Sequence, residues 1–309
     1  EVLQGAYDAG HRRVLVLATS AYSGYSSCRQ YREDYGVALR ETGLEGKLEV
    51  DKIRQYFDTP GFVEPFVQDL ATGLADVRAQ LAARGEEGAP VQIVFTTHSI
   101  PQSDADAAGP RALAASIDTD VYSQQHLDVA REILSRVPSA DGVDWSLVFQ
   151  SRSGAPHVPW LEPDINDAIE EYAAAGTRGV VIVPIGFVSD HMEVVWDLDT
   201  EAKETSEELG LAFHRVPTHG THQAFVSGVV DLIEERLAGP DGKPLREGRV
   251  SCVSGGPWYD VCRPNCCVKQ MVDGTFKPTI AAVDAEVGPC GTGHLAQVVA
   301  RPLALAQPG

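Results

Sequence analysis

Val91-Gln92-Ile93-Val94-Phe95-Thr96 is an apolar, β-branched run that leads straight into Thr97-His98-Ser99-Ile100-Pro101. Such a run reads as a strand buried on both faces, as in the interior of a parallel sheet. Pro101 turns the chain away from helix, so His98 is expected in an exposed turn at the strand's end. Similar runs occupy 13–19 (RVLVLAT), 48–53, 145–150 (WSLVFQ), 179–184 (GVVIVP) and 211–216. Between them, apolar residues recur at helical spacing over 28–42, 60–84, 119–137 (with Asp118 or Thr119 as a cap), 164–175, 192–209 and 223–238. Strands alternating with helices predict an α/β fold of parallel sheets, with the functional site at the carboxyl ends of the strands. From Gly239 onward Gly, Pro, Cys and charge dominate, and an irregular tail ordered by its cysteines is expected.

The chain has 309 residues, 43% of them hydrophobic and 22% charged, enough for one large core or two smaller ones. No run of apolar residues is long enough to span a bilayer, and no signal peptide is seen, so a cytoplasmic protein is expected. The net charge of −19 repels phosphate backbones, which argues against a nucleic-acid partner and favours solubility. Six cysteines are too few for a disulfide scaffold, yet four of them fall between Cys252 and Cys267.

Three segments point to one site: Thr97-His98-Ser99-Ile100-Pro101, Gln150-Ser151-Arg152-Ser153-Gly154, and the stretch from Ser189-Asp190-His191-Met192-Glu193 to Asp197. Each follows a predicted strand. A neutral imidazole facing a carboxylate can take protons from a ligand and pass it a divalent metal. Taken alone, His98 is as readily a turn residue, and Glu193 a first-turn acid that complements a helix dipole. However, Glu193, Asp197 and Glu201 recur at i, i+4 and i+8, and such a line of carboxylates repels itself. A solvated face tolerates that arrangement, and a path for a hard cation uses it.

Together T-H-S-I-P, S-R-S-G-x-P-x-x-P-W-L-E-P-D and P-I-G-F-V-S-D-H-M-E-V-x-x-D-L-D resemble the ferrochelatase family, over about residues 13–238 and in the family's order. The Tyr/Ser loop from Ser20 to Tyr31, with its Cys28, is similar to the actinobacterial branch. The resemblance implies two Rossmann-like, chelatase-type domains with parallel sheets. It divides the chain into the remainder of a first domain (1–90), a second domain carrying His98 and Glu193 (91–238), and a Cys-rich tail (239–309). It implies insertion of Fe(II) into coproporphyrin III, with release of two protons. His98 and Glu193 would be catalytic and face each other across the cleft. His98, Glu193, Asp197 and Glu201 would handle iron, and Tyr31 would contact a propionate. Ser23 and Tyr25 belong to the porphyrin-side loop, and Arg152 and Trp160 would shape the cleft, although an internal salt bridge and a core aromatic are equally open for those two. A monomer is expected, able to meet neighbouring haem-pathway enzymes transiently. The family's opening strand, Gly-rich loop and porphyrin lip are not found before Arg13, so an N-terminally truncated first domain is expected.

Cys262-Arg263-Pro264-Asn265-Cys266-Cys267 lacks the Cys-x-x-Cys pair or nearby His that would complete a zinc site. Some members of the family hold a [2Fe–2S] cluster, and the resemblance assigns Cys28, Cys262, Cys266 and Cys267 to it. Adjacent ligands are sterically awkward, so Cys252 in place of Cys266 or Cys267 stays open, and Cys290 is left spare. Two other readings remain: a cobalt or nickel chelatase for a related tetrapyrrole, which would place two histidines in the site, and a non-catalytic haem-binding or iron–sulfur sensing protein.

Overall fold

In the computed structural model, which describes residues 1–238, 248–269 and 276–282 and the short strand Leu303–Ala304, two parallel sheets carry the fold. Helix α1 (Val2–Asp8) precedes strand β1 (Arg13–Val16). A π-helical turn, Tyr25–Arg29, leads into α2 (Gln30–Glu41) and β2 (Glu49–Lys52). Strands β1 and β2 pair in parallel as a two-stranded sheet. Helix α3 (Pro60–Ala83) precedes β3 (Val91–His98), and short helices α4 (Gln102–Asp106) and α5 (Arg111–Ala114) lead to α6 (Val121–Ser135) and β4 (Asp144–Gln150). Then come α7 (Ile165–Ala174), β5 (Gly179–Val183), α8 (Met192–Val194), a π-helical stretch Val195–Glu201, α9 (Ala202–Glu208), β6 (Ala212–Arg215) and α10 (Gln223–Arg236). Leu237–Ala238 pairs with Leu303–Ala304 as a further short parallel ladder, β7 with β8.

The second sheet runs β4-β3-β5-β6, all parallel. The chain leaves β3 for β4 on one side, then returns to lay β5 on the other. That reversal makes the carboxyl ends of β3 and β5 the topological switch point, where open α/β sheets form their crevices. His98 ends β3, and the loop to Glu193 begins at the end of β5.

Helix α3 shows why helical spacing was legible. Phe62, Val63, Phe66, Leu70, Leu74, Val77 and Leu81 form one buried stripe. The stripe packs against β5, β6, α6 and α10. A division at residue 90 therefore separates α3 from the sheet it covers. The cap of α6 is Asp120, whose carboxylate accepts from the Ser123 amide at 2.8 Å, not Asp118 or Thr119. The tail is held by more than cysteines. Trp258 packs edge-on against Phe57 at 5.6 Å in the main core, and Ile280 joins Leu39, Leu48 and Val50 under the first sheet. Gly36 of α2 admits the backbone of Pro278 and Thr279 so closely that a Cβ there would overlap it.

Two histidines are buried as neutral rings. His126 stacks on Tyr22 at 3.5 Å and bonds the Tyr122 carbonyl at 2.7 Å; burial pushes its pKa down to about 3. His219 bonds the Phe62 carbonyl at 2.6 Å, and burial pushes it down to about 4. An unfolded imidazole titrates near ~6.5. As pH falls below that value the unfolded chain takes up protons that the folded one refuses, so stability is lost toward pH 4 and below. Each ring should cost roughly 2 kcal/mol at pH 5. His126→Phe keeps the stack and lacks the penalty, so its Tm relative to the native chain should rise between pH 7 and pH 5. A pH-independent difference between the two melting curves would contradict this.

Candidate active site and thiol pocket

Strand β3 runs two residues further than the apolar run suggests, pairing Thr97 with Phe149 and His98 with Gln150. His98 is thus the last residue of a central strand rather than part of a turn. Its Nδ1 lies in a short hydrogen bond with the Ser99 carbonyl. A carbonyl only accepts, so Nδ1 carries a proton, and in the neutral ring the lone pair is on Nε2. That Nε2 stands 4.0 Å from Glu193 Oε2. The backbone behind it is fixed. The Tyr122 hydroxyl donates to the His98 carbonyl at 2.9 Å and accepts from the Thr97 hydroxyl at 2.8 Å. Burial raises the Tyr122 pKa, so the phenol remains a donor. Gly186, after β5, lies against Thr97 where a Cβ would overlap it, which lets the two strand ends approach.

Glu193 sits in the first turn after the loop from Gly186 to His191, with 59% of its side chain exposed. Arg215, at the end of β6, clamps this segment: it donates to Asp190 at 2.9 Å and to Asp199 at 2.8 and 2.6 Å. The expected continuous helix over 192–209 is interrupted by the π-helical stretch, whose wider turns spread the expected carboxylate line. Asp197 is turned back to the sheet, accepting from Gln150 Nε2 at 3.1 Å and from the Ser151 hydroxyl in a short bond. Ser151 adopts a left-handed φ of 60° at that contact. Glu201 is exposed further along.

His98 and Glu193 line a cleft of about 480 Å³, within the range of small-molecule sites. Tyr22, Tyr25 and Tyr31 form one wall, and Trp160, Phe187 and His191 contribute to the other sides. The Tyr25 hydroxyl donates to Glu33 at 3.0 Å, and partial burial together with that carboxylate pushes its pKa up to about 12. Tyr31 is 38% exposed at the rim. Ser23 is buried behind the loop, bonded to Gln125 at 2.8 Å, and does not line the cleft. Arg152 also stands off it: the guanidinium is exposed and donates to the carbonyls of Pro156 and Val158. Asp197 and Glu201 lie outside the lining as well.

Cys28, Cys262, Cys266 and Cys267 form one buried group around Ala282. Cys266 Sγ and Cys267 Sγ are 3.7 Å apart. Their adjacency is accommodated because Asn265 and Cys267 take left-handed φ values of 57° and 56°. Cys252 lies apart, its thiol donating to the Asp58 carbonyl at 3.3 Å. Cys290 falls outside the described residues. The Cys262 pKa is pushed well down by hydrogen bonds from Cys266 and Cys28, helped by the charges of Arg32 and Lys52. Among the described residues no set of three or more His, Cys, Asp or Glu is arranged around a single metal ion.

The family model described as "Ferrochelatase" matches residues 1–237. The chain is 51% identical over 287 residues to the coproporphyrin III ferrochelatase of Leifsonia xyli subsp. xyli, covering 92% of this chain and 72% of that one. The chain belongs to the ferrochelatase family. It is 50% identical over 285 residues to the coproporphyrin III ferrochelatase of Tropheryma whipplei strain Twist (92% and 70% covered) and 47% identical over 290 residues to that of Streptomyces griseus (92% and 73%). Among solved structures it aligns with SirB from Bacillus subtilis with Fe3+ at a TM-score of 0.42 and 11% identity, covering 74% of this chain and 75% of that one.

In this ferrochelatase the candidate site uses residues to which the sequence reading assigned no role. His191 lines the cleft, edge-on to Phe187 at 5.4 Å, so the expectation of a single imidazole is corrected to two. His191 is adjacent to Met192-Glu193 in the motif itself, which was signal enough. Tyr122 and Arg215 come from α6 and β6, far from any motif, and only the folded contacts reveal them. No helix among the described residues is long and apolar enough to cross a membrane.

Proposed function

We propose that this ferrochelatase inserts Fe(II) into coproporphyrin III and releases two protons. The observation that carries the mechanism is the tautomer of His98: Nδ1–H is spent on the Ser99 carbonyl, and Nε2 points its lone pair toward Glu193 inside the cleft. A macrocycle bound between the tyrosine wall and Trp160 presents its pyrrole N–H groups to Nε2, which accepts a proton as metal enters. Glu193, solvent-exposed on one side and facing His98 on the other, ligates the incoming iron or relays the proton outward. Glu201, exposed further along the π-helical stretch, marks the outer end of a route for the cation, while Asp197 is held by Gln150 and Ser151 beside it. Tyr31 at the rim meets a propionate, and binding energy gathered there favours a distorted macrocycle whose nitrogens are accessible.

The four thiols fit a [2Fe–2S] cluster. Two thiolates on one tetrahedral metal with bonds of about 2.3 Å lie about 3.8 Å apart, and Cys266 and Cys267 have that spacing. Cys28 and Cys262 supply the second pair, so the two-plus-two set suits a binuclear centre better than a single ion. When bound, the cluster supplies a redox-active crosslink and no proton or iron for insertion. The residues around it tie the tail to the π-helical turn Tyr25–Arg29, and thereby to the wall holding Tyr25. On this reading the enzyme acts in the cytoplasm on a tetrapyrrole and a metal ion.

Steady-state turnover with paired substrates tests the assignment. Fe(II) should be inserted faster than Co(II) or Ni(II), and coproporphyrin III metallated faster than protoporphyrin IX. A preference for Co(II) or Ni(II) would move the protein to the other chelatase reading, to which the second imidazole, His191, lends support.

A further inference from the structure

Two fully buried cations flank the thiol pocket without carboxylate partners. Lys52, at the end of β2, is 1% exposed; its ammonium donates to the Ile53 carbonyl at 3.1 Å and, in a short bond, to Gln55 Oε1. Among the described residues it makes no salt bridge. Arg32 of α2 is also 1% exposed; it donates to the carbonyls of Ala281 at 2.7 Å and Asp260 at 3.2 Å, and its buried Nε has no hydrogen-bond partner. Asp51, whose charge is felt at both, is itself paired with Arg236. Arg32 follows Cys28 by one helical turn and donates to the Ala281 carbonyl that the Cys262 amide also bonds, so the guanidinium sits beside the thiols packed around Ala282; the charges of both cations act on Cys28 and Cys262. Burying an ammonium and a guanidinium with no carboxylate of their own is costly.

We propose that Lys52 and Arg32 are the counter-charges of the [2Fe–2S] site, and that they set its reduction potential. This rests on the cluster reading above. The charge count closes: two Fe(III) and two sulfides carry +2, four thiolates carry −4, and the resulting −2 is matched by the two cations. One-electron reduction takes the centre to −3, which a nearby cation favours, so loss of either cation lowers the potential. The Gly109 amide, donating to Cys267 Sγ at 3.1 Å, acts in the same direction. Lys52 also reaches the active site. Gln55, which holds the ammonium, donates through Nε2 to the carbonyls of Tyr22 at 2.5 Å and Ser20 at 3.1 Å, both on the cleft wall. One side chain thus balances the cluster and steadies the porphyrin loop.

The test is a dye-mediated redox titration of the purified holoprotein, following the visible charge-transfer bands, with iron and sulfide analysed in parallel. Lys52→Met should shift the midpoint to more negative potential with iron and sulfide retained. Arg32→Gln should shift it in the same direction, and Lys52→Arg should titrate close to the native protein. An unchanged midpoint in a fully loaded Lys52→Met protein overturns the proposal. If Lys52→Met fails to load, loading of Lys52→Arg, which keeps the charge but not the shape, still supports it. Failure of both variants makes Lys52 a packing residue and overturns it. Native protein without iron and sulfide would refute the cluster reading itself, before any variant is compared.

Discussion

His98→Ala should abolish metallation, with a loss on the order of 10²–10⁴-fold in turnover if only general-base catalysis is removed, while coproporphyrin III still binds. The reason lies in the division of labour around the ring. The cleft wall is built by Tyr22, Tyr25, Tyr31 and Trp160, none of which contacts the His98 side chain through a hydrogen bond, so the substrate's resting place survives the truncation. What disappears is the acceptor whose lone pair is oriented by the Nδ1 bond to Ser99. Fluorescence quenching on porphyrin binding separates the two effects. Retained turnover would refute His98 as proton acceptor, and lost binding would recast it as a substrate contact. Glu193→Gln, which keeps shape and removes charge, should slow the same step without displacing the ring.

Cys28→Ser should remove the proposed [2Fe–2S] cluster altogether, taking iron and sulfide from two of each per chain to background. Cys28 belongs to the π-helical turn that begins at Tyr25, and its three partners lie in the tail, so losing the crosslink frees both ends. A group that binds only the folded state stabilises it by mass action, and losing a tightly held cluster should lower Tm by about 10 °C or more. Turnover should fall with it, because Tyr25 and Ser26 on the same turn line the cleft. Cys252→Ser is the control: its thiol faces the Asp58 carbonyl, and the cluster should be retained. Iron and sulfide persisting in Cys28→Ser would move the cluster elsewhere. Loss in Cys252→Ser would restore the alternative ligand set.

Much of this molecule was legible because hydrophobic periodicity reports burial. The run at 91–96 gave a central parallel strand, and the stripe on α3 gave its covering helix. The meeting of His98 and Glu193 in one cleft was legible as well, since switch-point geometry places strand-end residues together whatever their identity. The failures have physical causes too. Polar Thr97 and His98 hide the end of β3, because a strand is continued by ladder hydrogen bonds that no side-chain pattern announces. The π-helical stretch is invisible to a search at helical spacing, so the carboxylates expected on one line part: Glu193 faces His98, Asp197 faces Gln150 and Ser151, and Glu201 is exposed. Ser23 and Arg152 sit in the right segments but point away from the cleft, a choice made by Gln125 and by the carbonyls of Pro156 and Val158. Adjacent Cys266 and Cys267 are awkward as joint ligands on an ordinary backbone. A left-handed φ at Cys267 lets both thiols join the same pocket.

The central claim is that the His98–Glu193 pair drives iron into a tetrapyrrole as its protons leave. A single-turnover reaction tests it most directly: protein, coproporphyrin III and Fe(II) mixed without oxygen, with the Soret band and proton release followed together. The account predicts conversion of the free-base spectrum to the metallated one, with two protons released per iron inserted and both signals sharing one rate. An unchanged free-base spectrum, with no protons released, would contradict it.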